Sequence, residues 1–139
     1  MNIIRTMQQG EAQWWVDMLF EPGPQKEDRV PAYPPRFPFP FRFRRPVAGS
    51  FFYLAYRNRI IGHARIDRVS QQEGTEVGTD EHWVGKGDIV RLSGPLVKMP
   101  FDLPCRGFVG VRYTNSHLHE LNQNQARAVI ADLGLTPRT

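Results

Sequence analysis

Proline is the residue that most restricts this chain, and it is concentrated between residues 22 and 46. That segment, PGPQKEDRVPAYPPRFPFPFRFRRP, holds eight of the twelve prolines. Proline has no backbone N–H to donate, so a regular central strand is excluded here and extended or polyproline geometry is favoured. Pro22 and Pro24 also end any helix that precedes them. We therefore expect a proline-rich crossover over residues 22–46.

The same segment is the basic part of the chain. It carries six Lys or Arg residues against Glu27 and Asp28, a balance of +4, which equals the net charge of the whole chain. Its second half alternates phenylalanine with Pro or Arg, at Phe37, Phe39, Phe41 and Phe43. Arginine neutralises phosphate and rings stack on exposed bases, so the pattern fits nucleic acid. It equally fits a phenylalanine core beneath a solvated arginine face.

The bulk composition describes a folded domain. A chain of 139 residues, 40% hydrophobic and 23% charged, suits a single domain spanning 1–139. We expect no membrane span and no secretory signal, because long apolar runs are missing. One cysteine, Cys105, cannot form an internal disulfide, which favours a reducing, cytoplasmic location. The pI near 9.6 indicates an acidic partner such as nucleic acid.

Helical spacing occurs near both ends of the chain. Within Gly10–Phe20 the apolar side chains recur at helical intervals, which predicts a short amphipathic helix. Asn122 with Gln125 three residues later is typical of a capping box, and an apolar stripe follows at Ala126, Val129, Ile130 and Leu133. The C-terminal helix is therefore predicted over about 122–133. Residues 2–7 are too short a segment to assign.

Between the helices the pattern is that of a sheet. FFYLAYR is apolar on both faces, Asn58 suits a tight turn, and IIGHARIDRV alternates, with Ile60, Gly62, Ala64 and Ile66 on one face. This predicts a hairpin. The polar residues Ser70–Lys86 predict a long loop that contains Trp83. IVRL and Arg106–Tyr113 are further strands. The prediction is mostly β with flanking helices (α+β), in a small, partly open barrel.

The order of these elements resembles the PUA-like superfamily, particularly its ASCH and EVE branches. A tryptophan-bearing helix precedes the loop Gly23-Pro-Gln-Lys26-Glu-Asp-Arg29, followed by FFYLAYRNRIIGHARI and GPLVKMPFDLPCRGFVGVRY. The resemblance implies a pseudo-barrel that binds RNA or modified bases in a cleft beside it. Some ASCH proteins are amidohydrolases that use a Lys, a nearby Thr and a distal Glu. Lys26 could match the Lys, but the residues directly after it are Glu27, Asp28, Arg29 and Val30 and include no Thr, so the resemblance favours a binding module.

Candidate site residues follow from charge and aromaticity. We expect seven basic side chains to hold phosphates: Lys26, Arg29, Arg36, Arg42, Arg44, Arg45 and Arg112. The Glu27 carboxylate could accept hydrogen bonds from the donor groups on the edge of a base, and Trp83, with Trp14 or Tyr33, could stack on a base. The plainer interpretations are an exposed turn of mixed charge, a tryptophan lid on the barrel and, for Arg112, a salt bridge.

Two other function classes remain open at this point. One is a small hydrolase acting on modified nucleosides, with Lys26 as nucleophile or base and Glu27 or Glu73 as its partner. The other is an oligomeric interaction protein that uses the Phe37 to Phe43 row as its interface. No metal site is expected, because His117 and His119 are two apart and lack neighbouring ligands. No cofactor is expected either, since Gly85-Lys86-Gly87 is not a phosphate loop.

Overall fold

The fold is a mostly β arrangement of one mixed sheet and two short α-helices. The computed structural model describes residues 1–7, 10, 12–21, 36–39, 47–75, 82–108 and 111–137, with the backbone alone over 36–39, 70–75 and 82–89. Its elements are β1 Asn2–Thr6, α1 Gln13–Asp17, β2 Arg36–Phe39, β3 Phe51–Tyr56, β4 Arg59–Thr75, β5 His82–Leu92, β6 Val97–Lys98, β7 Val111–Thr114 and α2 Gln123–Asp132. Single 3-10 turns occupy Met18–Phe20 and Leu118–Glu120. In these residues no helix has the length and apolar character needed to cross a membrane.

The sheet runs β2-β5-β4-β3-β1-β7, with β6 paired to β4. β1 and β3 are parallel and the other pairs are antiparallel. Within the described residues β2 and β7 do not pair with each other, so the sheet is not closed. β2 contains Pro38 and bonds only to β5 in this part of the chain. An edge is where a sheet tolerates proline, which agrees with the exclusion of a central strand here.

The predicted hairpin is confirmed, and a bulge makes it asymmetric. Arg57 and Asn58 both have positive φ, 49° and 62°, as a two-residue hairpin turn of the primed type requires. The β3–β4 register shifts between Leu54 and Ala55, where β4 has one extra residue. That shift reverses the alternation, so Ile60 packs in a different cluster from Ala64 and Ile66. The expectation that these three share one face with Gly62 was therefore wrong for Ile60.

Two apolar clusters lie on opposite sides of β3. Phe52 and Leu54 belong to the first cluster, while Tyr53 and Ala55 belong to the second. This confirms that FFYLAYR is a strand buried on both faces. Trp15 packs against the first cluster. Leu118 and the buried stripe of α2 complete the second, at Ala126 and Ile130.

The polar segment Ser70–Lys86 was predicted as a loop, and this was wrong. β4 continues to Thr75 and β5 begins at His82, and Trp83 is paired with Gly74; residues 76–81 lie outside the described residues. A strand ladder is built from backbone groups, and this segment contains no proline to interrupt it. Residues 73–75 and 82–84 pair only with each other among the described residues, and we call this pairing the ribbon.

The strand over Arg106–Tyr113 is shorter than expected. β7 covers Val111–Thr114. The chain before it instead forms an isolated bridge from Pro104 to Arg59. The unassigned residues at the N-terminus form β1, which lies between β3 and β7. Its five residues are too few to show a period, and it is identified only by its partners.

The helices were placed correctly, although α1 is shorter than its periodic pattern. It covers five residues before the 3-10 turn that ends at Phe20. The capping box of α2 is present: Asn122 Oδ1 accepts from the Gln125 N–H at 2.8 Å, and Gln125 Oε1 accepts from the Asn122 N–H at 3.1 Å. Gly134 follows the helix with φ of 73°, a left-handed conformation that glycine adopts without strain.

Candidate functional site

Most of the sequence-predicted basic residues belong to the proline-rich crossover, and most of that crossover lies outside the described residues. This holds for Lys26, Glu27, Arg29, Tyr33, Arg42, Arg44 and Arg45, and for Phe41 and Phe43. Arg36 is described through its backbone, at the first position of β2, and Trp83 through its backbone in β5. The side chains of Trp14 and Arg112 are described in full.

Arg36 belongs to a row of arginines that crosses three strands. In the antiparallel register Arg36 of β2 is opposite Arg91 of β5, and Arg91 is in turn opposite Arg68 of β4. We call these three positions the arginine row. Neighbouring strands are ~4.8 Å apart, so the row spans ~10 Å. The sequence places these residues at intervals of more than twenty, and only strand pairing brings them together.

Burial of the opposite face of β4 and β5 explains why the arginine row lies on the outer face of the sheet. Val90 and Leu92, on either side of Arg91, are buried in the first cluster, and Val69 packs against it. Strand alternation then assigns Arg91 to the opposite side, where Arg68 is exposed and Arg91 is half-buried. Hydrophobic burial of one face therefore fixes the register that aligns the arginines.

Trp83 lies farther along the same pair of strands. It is opposite Gly74, and Gly74 is six residues beyond Arg68 on β4, or ~20 Å at the rise of an extended strand. Positions an even number of residues apart lie on the same face of a strand, as Arg68 and Gly74 do on β4. The spacing is taken along β4 because β5 has extra residues between Asp88 and Val84.

A cavity of about 470 Å³ lies at the hairpin end of the sheet, between α1, the β3–β4 turn and the segment 98–102. Its basic lining residues are Arg57, Arg59 and Lys98, its acidic ones are Asp17 and Asp102, and its rings are Phe20, Tyr56 and Phe101. Cations, hydrogen-bonding groups and rings thus share one concave site, and its volume is in the ordinary range of ligand pockets, ~300–1,000 Å³.

Partner contacts hold the cavity's charged groups in place. Arg59 forms an ion pair with Asp102, and both side chains are about half exposed. Arg57 lies 5.0 Å from the centre of the Tyr56 ring and donates to Gln13 Oε1 at 3.2 Å. One wall depends on Gly62: a Cβ there would meet Phe20 Cε1 at 2.7 Å. The absence of a side chain at residue 62 is what lets Phe20 reach this position.

Trp14 and Arg112 occupy different surroundings. Trp14 is 51% exposed on α1, next to Gln13 of the cavity wall, whereas Trp15 packs inward. Adjacent residues on a helix point in different directions, which is why only one of the two tryptophans packs against the first cluster. Arg112 is half-buried, and its guanidinium lies 4.9 Å from the centre of the Phe108 ring. It is not one of the residues that line the cavity.

A cluster of three histidines was not found from the sequence. His63 of β4 stacks on His119, with ring centres 3.9 Å apart and planes 13° from parallel. His117 lies 6.5 Å from His119, nearly parallel to it. We call these three residues the histidine cluster. The sequence analysis considered His117 and His119 only as possible metal ligands, and no sequence pattern pairs them with His63. Among the described residues, no group of His, Cys, Asp or Glu side chains could hold a metal ion.

Polar and aromatic partners surround the cluster. The Tyr53 hydroxyl is hydrogen-bonded to His119 Nδ1 at 2.8 Å, and Glu120 Oε2 lies 3.0 Å from His117 Nδ1. Phe51 presents its ring to His117 and His119 at centroid distances of 5.0 and 4.6 Å, close to perpendicular. Two segments that are far apart in sequence are thereby joined at one surface.

Burial controls the protonation of this region. The pKa of His63 is lowered to about 4, mainly by burial and then by the charge of the neighbouring His119, while Glu120 opposes the shift. Burial also lowers the pKa of His119, against Glu120. It raises the pKa of the Tyr53 hydroxyl to about 12. Elsewhere, burial raises the pKa of the Cys105 thiol to about 11, which agrees with an inert, packed side chain.

Comparison with known proteins adds no relative to this description: no family model, curated protein or solved structure matches the chain.

Proposed function

We propose that this chain is a nucleic-acid-binding module of the PUA-like kind, which takes RNA, a single strand, or one base turned out of the stack. The observation that carries the proposal is the arginine row. Like charges directly opposite each other in a sheet are destabilising, and an anion beside them relieves that repulsion. A nucleic-acid backbone, with phosphates ~3.4 Å apart along each strand axis, supplies more than one anion within the ~10 Å of the row.

The crossover extends this surface in the proposal. Arg42, Arg44 and Arg45 follow β2 directly in the chain, and β2 carries Arg36 at the edge of the sheet. A strand of nucleic acid that lies across the arginine row would pass this edge. Lys26 and Arg29 follow Phe20, which lines the cavity, by a few residues. Both groups are proposed phosphate contacts, in line with the resemblance of the Gly23–Arg29 loop.

Two places suit bases. Trp83 on the ribbon is proposed to stack a base ~20 Å from the row, a contact worth ~1–3 kcal/mol per base. The cavity is proposed to receive a single base turned out of the strand, with Arg57, Arg59 and Lys98 toward its phosphates and Asp102 toward its edge. Trp14, exposed beside the cavity wall, is a second stacking surface.

The finer details of the fold are also part of the proposal. A strongly twisted sheet with short helices at its ends can close into a pseudo-barrel, which is the architecture that the resemblance implies. We place the protein in the cytoplasm, because its one cysteine is buried and unpaired.

The test is fluorescence anisotropy with labelled oligonucleotides, single-stranded and duplex, across a salt series. Arg68→Gln and Arg91→Gln each remove one cation of the row, and we expect each to weaken all sequences several-fold. Each should also reduce the slope of log K against log salt by ~0.7 for a single strand. Arg127→Gln is the matched control, because Arg127 is an exposed arginine of α2 that belongs to neither the row nor the cavity.

Two results would contradict the proposal. One is the absence of binding tighter than ~10⁻⁴ M at physiological salt, the weak end of non-specific affinity. The other is an equal loss of affinity in Arg127→Gln and Arg68→Gln, which would indicate a diffuse charge effect rather than a site. Trp83→Ala separates stacking from charge, since it should weaken binding without changing the salt slope.

A further inference from the structure

We propose that the histidine cluster makes nucleic-acid binding at the arginine row proton-dependent, so that binding tightens as the pH falls. This inference rests on the proposed function, because it concerns the strength of the same binding surface. It adds a regulating group that neither the basic composition nor the family resemblance contains.

The cluster and the row lie along one strand. His63 and Arg65 are two positions apart on β4, ~7 Å, which is within the ~8 Å screening length at physiological ionic strength. The register shift after Ile66 then brings Arg68 opposite Arg91. Arg65 lies 4.7 Å from the centre of the Phe51 ring, which also contacts the imidazoles of His63, His117 and His119. Arg68 of the arginine row is five positions from His63, ~16 Å and about two screening lengths, so the coupling acts through a phosphate held at Arg65, which lies between the cluster and the row.

Burial keeps the rings of His63 and His119 neutral near pH 7, and for His63 the stacked His119 adds to the effect. A proton on either ring places a positive charge 3.9 Å from the other ring's centre. Water is largely excluded from His119, whose side chain is 14% exposed. Both effects disfavour the imidazolium, which agrees with the lowered pKa of each ring.

Several titratable or charged groups surround His63 and determine whether its ring is neutral or protonated. They are Tyr53 on β3, Arg65 on β4, and His117, His119 and Glu120 on the segment that carries the 3-10 turn; Lys98 on β6 pairs with Gly62, and strand alternation turns it to the other face. Glu120 favours protonated rings, while Arg65 disfavours the proton on His119. The cations outnumber this carboxylate once the rings are charged.

A bound phosphate shifts the equilibrium between the neutral and protonated histidines. Its negative charge beside Arg65 stabilises the imidazolium forms, so the complex takes up protons that the free protein does not hold. By linkage, a complex that binds more protons than its components becomes tighter as the pH falls. The phosphate raises the pKa of His63 above its value of about 4 in the free protein, and affinity increases as the pH falls through the range between the two values.

The experiment measures the affinity for labelled oligo-dT and oligo-U from about pH 7.5 to about pH 4.5 at constant ionic strength. Thymine and uracil do not titrate in this range, so the change reports the protein. Wild type should bind several-fold more tightly at the acid end. Calorimetry in two buffers of different ionisation enthalpy should show net proton uptake on binding.

His63→Phe is the decisive variant, because phenylalanine keeps a ring against His119 and cannot take a proton. We expect unchanged affinity at neutral pH and a flattened pH dependence. Arg68→Gln is its counterpart, and we expect this variant to bind oligonucleotide more weakly at every pH while retaining the pH dependence of wild type. Circular dichroism at each pH checks that every variant is folded.

The outcomes separate the two proposals. If wild type binds with an affinity that does not change with pH, or if His63→Phe has the same pH dependence, this inference is wrong and the proposed function stands. If neither oligonucleotide binds at any pH, the proposed function is wrong and this inference is wrong with it.

Discussion

The two ends of β4 have different surroundings. Between residues 60 and 66 the strand is packed against both apolar clusters, between β3 and β6. From Arg68 to Thr75 it pairs with β5, and the register there aligns arginines. One end is buried in the apolar clusters, and at the other end Arg68 is exposed opposite Arg91. The difference indicates that the stability of the fold and the proposed binding can be changed separately.

The largest expected effect is at the packed end. Phe52→Ala removes a fully buried ring from the first cluster, and we expect a loss of ~3–5 kcal/mol in the free energy of unfolding. Urea denaturation followed by circular dichroism measures it. Arg68→Gln, at the charged end, should change the same free energy by no more than ~0.5 kcal/mol. Similar losses in the two variants would contradict the division of roles along β4.

A second, smaller effect concerns the pH dependence of stability. The folded protein holds the pKa of His63 at about 4, below its unfolded value of about 6.5. Folding therefore favours the neutral ring, and this contribution is fully present above about pH 6.5 and is lost as the pH falls to about 4. Because the ring is partly exposed, solvent screening reduces the expected loss to ~1–2 kcal/mol. His63→Phe should remove this part of the acid sensitivity in urea titrations at several pH values; an identical pH profile in both proteins would contradict it.

The smallest effect is expected at the cavity rim. Asp102→Asn breaks the ion pair with Arg59, and both side chains are about half exposed. Exposed pairs of this kind contribute ~0–1 kcal/mol, so the melting temperature should scarcely move. Differential scanning calorimetry measures the shift. A loss comparable with that of Phe52→Ala would mean that the rim, and not only the packed end of β4, holds the fold together.

Local patterns predicted the parts of the fold that depend on local physics. The two helices, the β3–β4 hairpin and the burial of FFYLAYR on both faces follow from periodicity, capping and turn residues. The ribbon did not, because its pairing uses backbone groups that polar residues supply equally well. The bulge beside Ile60 also carries no sequence signal, and it reverses which side chains face which cluster.

The candidate site was less accessible to sequence reasoning than the fold. Arg36 was predicted as a phosphate contact because other basic residues lie near it in the sequence. Arg68 and Arg91 were not predicted, because only strand register brings them next to each other and to Arg36. The histidine cluster unites His63 with His119, and nothing in either segment encodes that meeting. Contacts between residues that are distant in sequence create both features, so composition alone locates neither of them.

The position of β1 has a consequence for how the protein is made. Its first residue, Asn2, donates through Nδ2 to the carbonyl of Ser116, 114 positions away, and accepts from the Phe51 N–H. At translation rates of roughly 5–20 residues per second, β1 waits at least ~6 s for its second neighbouring strand to be synthesised. During that wait β1 can pair with β3 but not with β7, so Ile3 and Ile4 lack part of the packing that buries them. The last step of assembly in the cell is thus expected to be the docking of β7 beside a strand that was synthesised long before it.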